Sequence, residues 1–184
     1  MDPIRTALVG CGKIGRTHAL ALRDASQSNF VAVCDADSER AEAFAAEFSV
    51  AAYAQVDEMI ESANIEAIAV STPHPLHAPI VTTALAHGAH ALVEKPLAAS
   101  LTDCDIMIAA AKKAQRKLGV ISQRRLYKPV LRIKEAIEAG KIGRPVLGVL
   151  MMFNCSEQAY YQSDLSLIHI SETTRRTPIS YAVF

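Results

Sequence analysis

The chain has 184 residues, of which 51% are apolar and 21% charged, and its 19 basic and 19 acidic side chains give a formal net charge of zero. This balance is typical of a globular protein and argues against a broad nucleic-acid-binding face, since such faces are strongly basic. The apolar runs are too short to span a bilayer and the N-terminus has no signal-peptide pattern, so we expect no membrane segment and a cytoplasmic location. The four cysteines (Cys11, Cys34, Cys104 and Cys155) form no C-x-x-C pair and lack histidines at metal-ligand spacing, which predicts free thiols and no metal site.

Short apolar runs alternate with helical patterns as far as about residue 122, which is typical of βαβ construction and a parallel sheet. The apolar runs are continuous, as expected for strands covered by helices on both faces. We therefore predict an α/β fold with a doubly wound parallel sheet over residues 1–125. Gly88 and Gly119 are predicted to end helices, and Ser100 to cap one. The predicted strands are 4–9, 30–34, 51–53, 67–71, 89–93 and 118–122, and the predicted helices are 14–25, 38–48, 56–63, 75–87 and 101–117.

The pattern changes after Lys128. A helix is predicted over 130–139, a turn over 140–145 and a new strand over 146–153. We interpret residues 126–164 as a linker helix and the start of a second, truncated α/β domain, because too few residues follow to bury an independent core. Residues from about 165 resemble the translation of a short-read sequencing adapter. A non-native tail is therefore predicted over 165–184, with a genuine strand-and-loop tail as the alternative.

Three glycines with the spacing G-x-G-x-x-G follow the first predicted strand and open a helix. In this context Gly10 allows a tight turn, Gly12 allows the backbone to approach a pyrophosphate, and Gly15 allows the helix to pack on the strand. The helix N-terminus, at Lys13 and Ile14, would direct unpaired N–H groups at the phosphates. The pattern predicts a dinucleotide site that includes all five residues. A glycine-rich turn without a ligand is the alternative.

An acidic residue, Asp35, ends the second predicted strand, about 20 residues beyond the last glycine. A carboxylate at this position can accept hydrogen bonds from the ribose hydroxyls of the adenosine and would repel a 2′-phosphate, which favours NAD over NADP. A helix-capping role is the alternative, although Asp37 is better placed for it. Arg40 leaves NADP open, because an arginine after this strand can pair with a phosphate.

Two further loops follow predicted strands and therefore belong at the same crevice, since ligands of open parallel sheets bind beyond the carboxyl ends of the strands. The residues that we assign to the cofactor site in these loops are Ser71, Thr72, Pro73, His77, Glu94, Lys95 and Pro96. For His77, a packing or hydrogen-bonding role is the alternative that we favour. Lys95 at a strand end can donate to a substrate oxygen and stabilise charge that develops there.

Together these motifs resemble the Gfo/Idh/MocA oxidoreductases, the family of glucose-fructose oxidoreductase and inositol dehydrogenase. The resemblance rests on Gly10-x-Gly12-x-x-Gly15-x-x-His18, Ser71-Thr72-Pro73 with His77, Glu94-Lys95-Pro96 and Gln123-Arg124-Arg125, and it covers residues 1–164. It implies an NAD(P)-binding Rossmann domain followed by a C-terminal α/β domain. It also implies hydride transfer between the nicotinamide and a sugar or polyol, with a homo-oligomer as the full-length protein.

The resemblance also implies roles for individual residues. Lys95 would be the catalytic lysine that positions substrate, Glu94 would help to hold the nicotinamide, and the Lys95–Pro96 bond would be cis. Gln123 and Arg125 would line the nicotinamide pocket.

The chain departs from the family after residue 160. It has no tryptophan, and the Asp-x-x-x-His element that supplies the family's acid/base residues is missing, with Leu165 four residues before His169. We therefore expect this sequence to bind NAD but to turn over poorly. A non-catalytic dinucleotide-binding module is the main alternative, and a methyltransferase is disfavoured because it would leave Glu94-Lys95-Pro96 without a role.

Overall fold

The computed structural model describes residues 2–149, and six parallel strands form its single sheet within that range. The strand order is β3-β2-β1-β4-β5-β6, so the order reverses beside β1, between β1 and β4. Crevices at such reversals are the usual ligand sites of open α/β sheets. The strands are β1 (Ile4–Val9), β2 (Ser28–Cys34), β3 (Ala51–Tyr53), β4 (Ala67–Val70), β5 (His90–Val93) and β6 (Leu118–Val120).

Helices connect these strands, as the alternating sequence pattern predicts, and the predicted α/β class is confirmed. The helices are α1 (Lys13–Asp24), α2 (Ser38–Phe48), α3 (Val56–Ser62), α4 (His77–Ala86), α5 (Leu101–Ala114) and α6 (Lys128–Glu138), with 3-10 turns at His74–Leu76 and Gln123–Leu126. Among the described residues, no helix is both long and apolar enough to cross a membrane. The chain divides into two compact units, the first ending at Ser122 and the second beginning at Gln123.

Two hydrophobic clusters cover the two faces of the sheet in the first unit. Ala7 and Val9 of β1 lie in one cluster with side chains of α3, α4 and α5, whereas Leu8 lies in the other with α1 and α2. Neighbouring strand residues point to opposite faces, so the continuous apolar run of β1 is required by burial on both sides. Each fully buried side chain of the size of Leu8 contributes about 1.5–3 kcal/mol relative to exposure.

Most predicted boundaries agree with the structure to within a few residues, with three differences. The predicted helix 75–87 begins as a 3-10 turn and becomes α-helical only at His77. Gly119 was predicted to end a helix, but it lies in β6; α5 ends at Ala114, where Gln115 takes the left-handed conformation (φ 52°) that a glycine more often supplies. Of the strand predicted over 146–153, residues 146–149 form no strand, and the remainder lies outside the described residues.

Two local predictions are confirmed. Ser100 caps α5, where its hydroxyl accepts a hydrogen bond from the backbone N–H of Asp103. Gly88 lies just after α4 with φ +84°. The predicted tail, 165–184, lies outside the described residues.

Candidate cofactor and substrate site

The strands end in register, which places the loops that carry the predicted site residues along one edge of the sheet. Val9 pairs with Cys34 and with Val70, and Val70 pairs with Val93. The residues that follow these strand ends are Gly10, Asp35, Ser71 and Glu94. All four features predicted from separate motifs, namely the glycine turn, the acid, the Ser-Thr-Pro loop and the Glu-Lys loop, therefore begin at neighbouring positions of one edge.

The three glycines of the first loop have different reasons for lacking a side chain. Gly10 has φ +98°, and a Cβ there would lie 2.8 Å from the carbonyl carbon of Ser71. A Cβ on Gly15 would collide with the carbonyl oxygen of Gly10. Gly12 differs: its backbone is extended (φ −86°, ψ −170°), and a Cβ there would meet no protein atom within 4 Å. The fold itself gives no reason for glycine at position 12, whereas a ligand that approaches the backbone does.

The helix that follows this loop begins without a side-chain cap. Gly12 is the N-cap of α1, and the first turn carries no acidic residue. The N–H groups of Lys13, Ile14 and Gly15 lie in that first turn, where helix geometry provides no intrahelical acceptor. Lys13 and Ile14 are exposed. Such an uncapped helix start next to open space suits the phosphates of a dinucleotide.

Asp35 connects the glycine loop to the start of α2. Its Oδ2 accepts a hydrogen bond from the backbone N–H of Cys11 at 2.8 Å, and its Oδ1 accepts one from the N–H of Asp37 at 3.0 Å. Arg40 lies beside it, with Nη1 3.4 Å from Oδ1. Asp37 caps α2 through Arg40 N–H, so the capping alternative for Asp35 does not hold. The Asp35 side chain lies at the edge of the sheet and is 11% exposed.

The loop after β4 packs directly on the glycine loop. The hydroxyl of Ser71 donates to the carbonyl oxygen of Gly10 at 2.8 Å. The hydroxyl oxygen of Thr72 is buried and has no hydrogen-bond partner in the described part of the chain. A buried hydroxyl without a partner is costly, and a bound ligand is one way to provide that partner. Pro73 is exposed at the same loop.

His77 is fully buried, unlike the other predicted residues of this loop. Its Nε2 lies 3.0 Å from the carbonyl oxygen of Thr72, and its Nδ1 lies 3.0 Å from that of Pro96. A ring without exposed surface offers no atom to a cofactor, so the packing and hydrogen-bonding interpretation is the one that the geometry favours.

The loop after β5 carries Glu94, Lys95 and Pro96, and the Lys95–Pro96 peptide bond is cis, as the resemblance implied. The Oε2 of Glu94 accepts a hydrogen bond from the backbone N–H of Lys95 at 3.0 Å. Its Oε1 lies 2.9 Å from Nε2 of His18 on α1, and both side chains are mostly buried. Lys95 and Pro96 are exposed. Glu94 is thus fixed from two sides, while the Lys95 side chain is left accessible.

A second histidine, His74, lies between the two loops. Its ring centroid is 5.6 Å from that of His77 in an edge-on arrangement. Burial lowers the pKa of His74, and the nearby His77 and Lys95 act in the same direction. Its imidazole is therefore more often neutral than that of an exposed histidine.

Gln123 and Arg125 lie in the 3-10 turn Gln123–Leu126, at the start of the second compact unit. Both are exposed. Their assignment to the nicotinamide pocket stays a prediction, as does the boundary between domains at residue 125.

Sequence reasoning did not predict the contact between His18 and Glu94. The two residues are 76 positions apart, and His18 carried no signal beyond its place three residues after Gly15. The bond from Cys11 N–H to Asp35 was missed for the same reason, because it depends on the packing of β1 beside β2.

Comparison with known families matches residues 4–122 to GFO_IDH_MocA, described as an oxidoreductase family with an NAD-binding Rossmann fold. Among curated proteins, the chain is 34% identical to D-apiose dehydrogenase of Paraburkholderia graminis, over 77% of this chain and 38% of that protein. It is 32% identical to inositol 2-dehydrogenase 4 of Saccharopolyspora erythraea, over 94% of this chain and 53% of that protein. The chain thus spans about half or less of the length of these relatives.

Solved structures give the same result for the fold. The WlbA dehydrogenase of Bordetella pertussis, crystallised with NADH and UDP-GlcNAcA, matches with a TM-score of 0.81 at 30% identity, over 87% of this chain and 49% of that one. Myo-inositol 2-dehydrogenase of Lactobacillus plantarum matches with a TM-score of 0.72 at 29% identity, over 78% of this chain and 43% of that one.

Proposed function

Because the chain belongs to the Gfo/Idh/MocA oxidoreductase family, we propose that it is the cofactor-binding part of an NAD(P)-dependent dehydrogenase acting on a sugar or polyol. The observation that carries this proposal is the open space over Gly12, at the uncapped start of α1, on the same sheet edge as the exposed Lys95. Relatives named as inositol and apiose dehydrogenases support the substrate class.

The glycine loop is proposed to hold the cofactor's pyrophosphate. The N–H groups at the start of α1 would bind the phosphates, with Gly12 giving them room, and Lys13 and Ile14 would flank them. Asp35 would bind the adenosine ribose, and its carboxylate would repel a 2′-phosphate, so NAD is the preferred cofactor. Arg40 already lies near Asp35 and Asp37, which reduces its availability to NADP.

The loops after β4 and β5 are proposed to form the nicotinamide and substrate side. When bound, the nicotinamide supplies the hydride acceptor or donor. Ser71, Thr72 and Pro73 would line it from one loop and Glu94 from the other. Lys95 would donate a hydrogen bond to the substrate oxygen and stabilise negative charge on it. Gln123 and Arg125 are proposed to complete the pocket, and the full-length protein is proposed to form a homo-oligomer.

The first experiment measures binding by the 184-residue chain. Because the chain lacks tryptophan, nicotinamide fluorescence can be followed without tryptophan background during titration with NADH. We expect saturable binding that NAD competes away. A chain that binds no nicotinamide nucleotide would contradict the proposal.

The second experiment measures turnover by the complete gene product with a panel of inositols, aldoses and nucleotide sugars. Lys95→Met should lower kcat by about 100-fold or more, since one lost donor to a developing oxyanion typically costs that much. It should leave the Kd for NADH within about threefold, because Lys95 is assigned to substrate. Lys113→Met, an exposed change on α5, serves as the control. Cofactor binding without turnover of any panel member would instead favour the non-catalytic module.

A further inference from the structure

The His18 ring connects helix α1 to the loop that carries Lys95. Its Nε2 lies 2.9 Å from Oε1 of Glu94, and the other carboxylate oxygen, Oε2, accepts a hydrogen bond from the backbone N–H of Lys95 at 3.0 Å. We propose that His18 is a positioning residue, which orients the Glu94 carboxylate and thereby holds Lys95 in place relative to the cofactor. This role rests on the proposed function, which assigns Lys95 to the substrate oxygen.

The packing of α1 gives no reason for a histidine at position 18. Gly15 and Ala19 are the buried residues of this helix, and Leu22 packs against the same cluster as Ala19. His18 lies on the same side, because helix residues three, four and seven positions apart form one stripe. Apolar side chains normally fill such a stripe, and a polar ring is costly there unless it is hydrogen-bonded. The Glu94 carboxylate provides that bond, which points to a role in the contact itself.

The two contacts of Glu94 give its carboxylate one orientation. The backbone N–H of Glu94 donates to the carbonyl oxygen of Val70, so the sheet fixes the position of its backbone. The side chain is 13% exposed, with one oxygen directed at α1 and the other at Lys95. The last torsion of a glutamate side chain is soft, so the carboxylate can rotate once a partner is lost. Without His18, the backbone N–H of Lys95 therefore no longer has a fixed acceptor.

Helix α1 is itself fixed on the glycine loop. A Cβ on Gly15 would collide with the carbonyl oxygen of Gly10, so the helix and the loop are in contact there. His18 lies almost one turn further along the same helix. The start of α1, where the phosphates are proposed to bind, is thus connected to Lys95 through His18 and Glu94. Because small misplacements of a reacting group lower the rate of the chemical step, we expect His18 to affect kcat more than binding.

The contact is tested first without any ligand, by NMR hydrogen exchange of the Lys95 backbone amide in the 184-residue chain at one pH. His18→Gln can bring an amide N–H to the place of Nε2, whereas the side chain of His18→Asn is too short to do so. His18→Leu removes the donor and suits the apolar stripe. Exchange should be about tenfold faster in the Asn and Leu variants and within about threefold of the wild type in the Gln variant. His87→Leu, a change at an exposed histidine after α4, is the control and should leave the rate unchanged.

The positioning role is tested by turnover of the complete gene product. His18→Leu and His18→Asn should lower kcat by about tenfold or more and change KM for the substrate by less than about threefold. His18→Gln should keep most of the activity, because it keeps the donor. In a protein that already carries Lys95→Met, His18→Leu should lower kcat by no more than about twofold, since the residue through which His18 acts is gone.

Exchange at the wild-type rate in His18→Leu, or a Gln variant no closer to the wild type than the Asn variant, would overturn the role of the donor. A full further loss of kcat in the Lys95→Met background would show that His18 acts elsewhere and would overturn the positioning role. Absence of turnover with every panel member would overturn the proposed function and the positioning role with it, while the exchange rates would still decide whether His18 holds the Lys95 loop.

Discussion

Substitutions of the single residues Gly12 and Gly15 distinguish an effect on ligand binding from an effect on folding. Gly12→Ala places its Cβ in open space, and the gain from a stiffer unfolded chain is offset by the weaker N-cap preference of alanine, so the free energy of unfolding should change by less than about 1 kcal/mol. The same methyl group occupies the space needed by a pyrophosphate, so NADH should bind at least about tenfold more weakly. Thermal unfolding and NADH titration of the purified variant measure the two effects.

Gly15→Ala is the matched comparison. Its Cβ would collide with the Gly10 carbonyl, so this variant should lose stability, by about 1–3 kcal/mol for an overpacked site. If Gly12→Ala were to bind NADH as tightly as the wild type, the open space over Gly12 would not be the pyrophosphate site.

Asp35 is expected to set the preference between the two nicotinamide cofactors. Asp35→Ser removes a carboxylate that would repel a 2′-phosphate and leaves Arg40 without one of its two acidic neighbours. The ratio of the NADPH to the NADH dissociation constant should therefore fall by about tenfold or more. Asp37→Ser keeps a residue that can cap α2 and removes the other acidic neighbour of Arg40. It should change stability by less than about 1 kcal/mol and lower the ratio less than Asp35→Ser does, because the carboxylate that would repel the 2′-phosphate remains. An unchanged ratio in Asp35→Ser would place the ribose elsewhere.

For the helices and strands, the sequence predicts the features that local residue patterns determine. The strands of the sheet and the cap of α5 follow from apolar runs and from a serine placed before an acidic first turn. The prediction that Gly119 ends a helix is wrong because Gln115 adopts φ 52° and ends α5 earlier, which leaves Gly119 in β6. The partners of His18 and His77 could not be predicted, because both depend on loops brought together by the sheet.

Two thiols, those of Cys11 and Cys34, are buried at the carboxyl ends of β1 and β2, and their burial affects stability at high pH. Burial, with the charge of Asp35 adding to it, raises the pKa of Cys11 and of Cys34 from 9.0 to about 12. Above pH 9 the thiols ionise in the unfolded chain but stay protonated in the folded one, so the unfolded state binds fewer protons and stability falls as the pH rises toward 12. Thermal unfolding between these pH values should show this decline.

Cys34→Ala removes one of the two groups and should make that decline shallower than in the wild type. Cys104→Ala, a change at a half-buried thiol on α5, serves as the control and should leave the slope unchanged. Identical slopes in all three proteins would mean that other groups cause the loss of stability.

The two hydrophobic clusters and the residues assigned to the adenosine half of the cofactor lie in the same compact unit. Both hydrophobic clusters draw their buried members from residues 7–111, and the glycine loop and Asp35 lie within the same stretch. No residue of α6 is buried. Each face of the sheet in the first unit is covered by helices of that unit, which is the condition for a domain to fold independently.

We therefore expect a chain that ends at Ser122 to unfold cooperatively, with a Tm within a few degrees of the 184-residue chain. It should bind ADP-ribose within about twofold of the longer chain, because the groups assigned to the adenosine half are all retained. It should bind NADH more weakly if Gln123 and Arg125 line the nicotinamide pocket, so the ratio of the two dissociation constants tests those two assignments directly. Gln123→Ala and Arg125→Ala in the 184-residue chain should reproduce the NADH loss alone. A shortened chain that fails to fold, or that loses ADP-ribose binding, would show that residues beyond 122 belong to the same cooperative unit.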